Sequence, residues 1–159
     1  MSWLSSILRR APRTPALTTG RVFTAQQLGD HVGFPVILKD TAYAEVSSAW
    51  LRGYYDDFRK TLFREGVVRW EETFDCDDFA SFFVSLASVR YFNATWSTPR
   101  QAQSLALGEY WYRPQGMRGQ SHAIVTAVTE RGQIYLEPQS GQEVRLTDDE
   151  KLSRFYVKF

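Results

Sequence analysis

The chain holds a single cysteine and two histidines. Cys76 lies in Phe74-Asp75-Cys76-Asp77-Asp78-Phe79-Ala80, where Asp75 offers an oxygen to cap a helix that begins at the cysteine. Backbone N–H groups and the dipole at such a terminus favour a thiolate, lowering a free thiol pKa of about 8.5. His122 opens the β-branched run Ser121-His122-Ala123-Ile124-Val125, and Glu137 ends Ile134-Tyr135-Leu136-Glu137-Pro138. Thiol, imidazole and carboxylate, in that order, are the outline of a nucleophile, its base and the group that holds the base in one tautomer. Taken singly, each has a plainer reading: a core cysteine among phenylalanines, a structural histidine, an exposed strand-end acid. The flanking aspartates also oppose a thiolate wherever their carboxylates face it. His31, beside the end of a short helix, reads as structural.

These three residues meet only if neighbouring elements are in register. A turn centred on Arg131-Gly132 sets Glu137 opposite Thr126 and His122 opposite Gly141, whereas one centred on Thr129-Glu130 sets His122 opposite Glu137. Both put His122, Glu137 and Gln139 on one face. Gln139 is therefore the alternative orienter, since an amide oxygen can accept from an imidazole N–H.

Other elements follow from capping and periodicity. Thr24 caps a short helix through Leu28, and Phe34 to Leu38 reads as a brief extended segment. From Thr41 to Arg64, Val46, Trp50, Tyr54, Phe58 and Leu62 recur every four residues, predicting one long amphipathic helix that ends near Gly66. Its aromatic stripe could line a ligand groove, but core packing is the commoner use. The cysteine helix should run from Cys76 to about Tyr91, and Thr98-Pro99 marks a further helix start. Leu105 to Tyr112 turns extended, and residues 113–120 form a loop. Ser121–Thr129 and Gln133–Glu137 form a hairpin. A strand at Glu143–Leu146, a short helix capped by Thr147 and a closing strand at Phe155–Phe159 complete the chain. Helices first and an antiparallel sheet second define an α+β domain.

At 159 residues and 43% hydrophobic content the chain holds one domain, expected over residues 22–159. Residues 1–21 form a basic arm, carrying Arg9, Arg10, Arg13 and Arg21 without an acid. Nineteen basic against 18 acidic side chains give no global reason to expect nucleic acid or a membrane surface as partner. One cysteine makes no internal disulfide, and a Cys with two distant His is no zinc ligand set. The first ten residues lack the order of a secretory signal, and nothing approaches the ~20 apolar residues of a membrane-spanning helix. The expectation is a soluble protein, cytoplasmic or released without a signal peptide.

Asp75-Cys76-Asp77-Asp78-Phe79-Ala80, His122-Ala123-Ile124-Val125 and Glu137-Pro138 together resemble the papain/transglutaminase-like superfamily, in which a cysteine on a central helix packs on a sheet bearing His and an acid or amide. The resemblance extends to bacterial transglutaminase-like cysteine proteinases and to the papain-like C-terminal domain of fungal chimeric agglutinins, and covers roughly Trp70 to Gly141. It implies a cysteine peptidase or amidase acting on a peptide or protein amide. Cys76 would attack the carbonyl, His122 take and return the proton, Glu137 orient His122, and the Cys76 N–H hold the oxyanion. The chain lacks the Gln that precedes the papain cysteine, so Trp70 is the candidate second oxyanion donor, with Gln26 or Gln27 as distant alternatives. No cofactor is required, although the agglutinin-type domains imply calcium at Asp77 and Asp78, with Asp75. Two aspartates alone are not a calcium site, and helix capping also accounts for them. The rival readings are a peptidoglycan endopeptidase of the NlpC/P60 type and a non-catalytic binding or structural module, such as a phage or toxin component, that keeps the fold.

Overall fold

Short capped segments alternating with β-branched runs break the N-terminal half into more elements than a helical stripe alone suggests. The computed structural model describes residues 15–33, 35–97, 102–116 and 119–159. Strand β1 is Thr18–Thr24, helix α1 is Ala25–Val32 and strand β2 is Ala42–Val46. In α1 the Thr24 hydroxyl and the Gln27 side chain satisfy each other's backbone N–H groups in a capping box. β1 takes Thr18 to Arg21 of the expected arm into the sheet, and Arg9, Arg10 and Arg13 lie outside the described residues.

The predicted helix from Thr41 divides in two. Tyr43 faces one side of the sheet and Ala44 and Val46 the other, a period of two that makes β2 a strand. Helix α2, Ser48–Arg64, starts afresh at the Ser47 cap. Val46 matched the four-residue stripe only because strand and helix periods coincide at that position. The Glu130 carboxylate adds a second cap, accepting from the Ser48 N–H at 3.1 Å and from its hydroxyl.

Helix α3, Cys76–Thr95, begins as expected and runs one turn beyond Tyr91. It buries Phe79, Ala80, Phe83, Ala87 and Tyr91, and Phe83 stands edge-on to Tyr54 and Phe58 of α2 with centroids 4.8 and 4.9 Å away. Strands β3 (Ser104–Leu105), β4 (Leu107–Tyr112), β5 (His122–Thr129), β6 (Gly132–Glu137) and β7 (Gln142–Val144) follow, then helix α4 (Asp148–Leu152) and strand β8 (Tyr156–Lys158). Of the expected extended segment at 34–38, Phe34 lies outside the described residues and residues 35–38 form one bridge, Ile37 to Lys158; the expected helix start at Thr98-Pro99 also lies outside the described residues.

All eight strands join one sheet, with β5 at its centre between β4 and β6. β2 runs parallel to β3 and β5, and the other pairs are antiparallel. The α+β class stands, but the expected order of helices before an antiparallel sheet does not, because two strands precede α2 and the sheet is mixed. Alternation along β5 divides the core: Ala123, Val125 and Ala127 pack under α2 and α3, while Ile124 and Val128 pack with Leu28 and Val32 of α1. No helix among the described residues is long and apolar enough to cross a membrane.

Candidate functional site

Thr129 pairs with Gly132, so the β5–β6 turn is Glu130-Arg131, midway between the two registers the sequence allowed. Val125 then stands opposite Leu136, which leaves Glu137 diagonal to His122 on the same side of the sheet. A glutamate is long enough to bridge that diagonal. His122 Nε2 and Glu137 Oε2 are 2.6 Å apart, and both side chains are half-buried. A carboxylate accepts, so Nε2 carries the proton. The second carboxylate oxygen accepts from the Gln139 backbone N–H at 3.1 Å. Gln139 therefore positions Glu137 and does not orient the imidazole.

Tyr112 was not read from the sequence as a site residue. It sits directly opposite His122 in the β4–β5 ladder, its ring edge-on to the imidazole at 6.0 Å. Burial first, then the charges of Glu150 and Glu137, push its phenol up to about 12. The signal that could have found it is the alternation of Tyr110 and Tyr112 along β4, which commits both rings to one face.

Cys76 is half-buried at the first position of α3, with the Ala123 amide facing its sulfur. Among the described residues no hydrogen bond joins Cys76 to His122. Burial, then the charges of Asp75 and Asp77, push the thiol above its ordinary value of 9.0 against the opposing help of the Ala123 and Cys76 amides. This reverses the expectation of a dipole-stabilised thiolate. The dipole is already answered by carboxylates: Asp75 Oδ1 accepts from the Asp77 N–H, and Asp78 Oδ2 from the Asp75 N–H, each at 3.3 Å. The structure thus brings Cys76, His122 and Glu137 to one end of β5 and bonds only the last two.

Asp77 shares a hydrogen bond with the Asp75 side chain, and that contact, more than burial, pushes its carboxyl up to about 6. One donor atom from each of Asp75, Cys76 and Asp77 lies within 4.8 Å of the others. Calcium takes about six to eight hard oxygen ligands, so two carboxylates and a soft thiol do not meet its needs by themselves. Trp70, named as an oxyanion donor, is 52% exposed and has no hydrogen-bond partner among the described residues. Gln26 and Gln27 belong to α1, across the sheet from α3, and the Gln27 side chain is committed to its cap. His31 packs its ring against Phe23.

Beside these residues, a cleft of about 180 Å³ opens between α2 and the β6–β7 hairpin, with Leu51, Arg52 and Tyr55 on one wall and Ile134 and Leu136 on the other. The aromatic stripe of α2 thus has two uses. Tyr54 and Phe58 are core, and Tyr55 lines the cleft.

No known protein family matches the sequence, and no curated protein matches it. Solved structures do match the fold. A complex described as PSL1a–E64 aligns with a TM-score of 0.61 at 18% identity, over 87% of this chain and 50% of that one. Polyporus squamosus lectin bound to the human-type influenza-binding epitope Neu5Acα2-6Galβ1-4GlcNAc aligns with a TM-score of 0.53 at 20% identity, over 79% of this chain and 42% of that one. The chain spans about half the length of these neighbours or less. The neighbours are lectin chains, and on this finding the papain/transglutaminase-like assignment is corrected, together with the cysteine peptidase or amidase activity, the NlpC/P60 variant and the peptide substrate drawn from it. The upward shift of the Cys76 thiol, through burial and then the charges of Asp75 and Asp77, runs in the same direction as that correction.

Proposed function

We propose that this chain is a non-catalytic binding module whose ligand is a glycan. The observation that carries the reading is the fold it shares with lectin chains, one of them described with a bound sialylated trisaccharide. At this level of identity the likeness speaks to fold alone, so the ligand class is the proposal. Two features of the chain itself favour binding over bond cleavage. Burial, and then the charges of Asp75 and Asp77, push the thiol that would have to attack above its ordinary value, which weighs against a standing thiolate. The half-buried pair of His122 and Glu137, backed by Tyr112, places polar groups side by side on adjacent strands, as a recognition site requires.

Calorimetric titration of the full chain with Neu5Acα2-6Galβ1-4GlcNAc, and with the same glycan lacking the sialic acid, tests the proposal. The expected result is saturable binding of at least one of them, retained in Cys76→Ser. Absence of binding to either, together with amide turnover that Cys76→Ser abolishes, would overturn it.

A further inference from the structure

We propose that the cleft between α2 and the β6–β7 hairpin binds a small carboxylate with a short apolar body, the carboxylate resting on Arg52. The inference does not rest on the glycan reading. Leu51, Phe83, Ile134 and Leu136 give the cleft an apolar interior, and its volume of about 180 Å³ has room for only a few non-hydrogen atoms. That is well below the roughly 300–1,000 Å³ of sites for drug-sized ligands, so the occupant is small.

Charge decides the class. The lining carries two carboxylates besides its arginines: Glu143 is held by Arg131 through two parallel contacts at 3.0 and 3.2 Å, and Glu137 is engaged by His122 Nε2 at 2.6 Å and by the Gln139 N–H at 3.1 Å. Glu130, next to Arg131, is committed to the N-terminus of α2 through Ser48. Arg52 is exposed and has no acidic partner among the described residues. A single exposed arginine is ordinarily just solvated. Here it borders an apolar cavity, and a planar guanidinium matches a carboxylate in a forked geometry, so a ligand with an anionic head and an apolar tail satisfies both parts at once.

The end wall is built in advance. The Tyr55 hydroxyl donates to the Gln139 carbonyl at 3.0 Å, and its ring lies so close to Gly141 that a Cβ there would stand 2.4 Å from it. Gly141 also has a φ of +73°, which disfavours any other residue. Tyr55 is therefore fixed before a ligand arrives, and little ordering remains to oppose binding.

The test compares pentanoate with pentanamide, equal in shape and different in charge, by ligand-observed NMR on the full chain. Pentanoate should bind saturably in the millimolar range and pentanamide at least tenfold more weakly. Arg52→Gln should reduce pentanoate to the level of the amide without changing the circular dichroism or Tm, because Arg52 is exposed. Ile134→Phe, which fills the cleft, should abolish both. Should that variant fail to fold, the Arg52→Gln comparison still decides. Equal affinity for the two probes, unchanged pentanoate affinity in Arg52→Gln, or no saturable binding at all would each overturn the proposal. Neither probe is a sugar, so failure of glycan binding and failure of this inference are separate results.

Discussion

Cys76 should behave as a sluggish thiol, and the rate at which it alkylates measures that directly. Only the thiolate reacts with iodoacetamide. At its ordinary value of 9.0 about one thiol in a hundred is ionised at pH 7, and burial with Asp75 and Asp77 lowers that fraction further. The native protein should therefore react several-fold more slowly than its urea-unfolded form, and its rate should climb about tenfold per pH unit from pH 6 to 8.5 without a plateau. Asp75→Asn keeps a good helix cap while removing a charge, so it should accelerate the reaction. His122→Ala should leave the rate unchanged, because no hydrogen bond joins the two side chains. Mass spectrometry of samples quenched over time gives each rate. A plateau below pH 7, or slowing by His122→Ala, would reveal a thiolate–imidazolium pair and refute both this reasoning and the non-catalytic reading.

Gly141→Ala forces a Cβ onto the Tyr55 ring at a positive φ, so it should cost about 1–3 kcal/mol and lower Tm by several degrees in a thermal melt. Asp77 has a folded pKa of about 6 against an ordinary 3.8, so the folded state binds the proton more tightly and Asp77 makes stability fall as pH rises from about 4 to 6. Asp77→Asn should flatten that part of the Tm–pH curve and raise Tm at pH 7 by no more than about 2 °C, since its exposure screens the effect; an unchanged slope would contradict this. If Asp75 and Asp78 serve only as helix caps, millimolar calcium should leave Tm unchanged. A rise that Asp77→Asn removes would instead show a bound ion.

Local chemistry carried well from sequence to structure. Thr24, Asp75 and Thr147 each cap a helix as read, with Gln27, Asp78 and Glu150 completing the boxes, because a cap is settled within four residues. What was not legible depends on contacts distant in sequence. Val46 fits a helical stripe, but pairing with Thr18 and Thr129 places it in a strand. The pairing of His122 with Glu137 needed a register that two residues of turn decide, and the true turn was neither of those considered. The shift of the Cys76 thiol follows first from its burial and then from the charges of Asp75 and Asp77, and the burial of one residue is not told by sequence order. The cleft under α2 was invisible because its two walls come from residues about eighty positions apart.

The burial of β5 on both faces has a consequence for how the molecule breathes. From Val125 to Ala127 the strand is hydrogen-bonded on both sides, to β4 and to β6, and every side chain there is buried. Those amides should exchange with solvent deuterium only through global unfolding and report its full free energy. Pairing with β6 stops at Val125, so His122 and Ala123 are held by β4 alone, and α4 buries no residue at all. His122 and the Ala123 amide that faces Cys76 therefore lie where the slowest-exchanging strand gives way to backbone that opens locally, and ligand protection should be read first at Ala123 and Ile124.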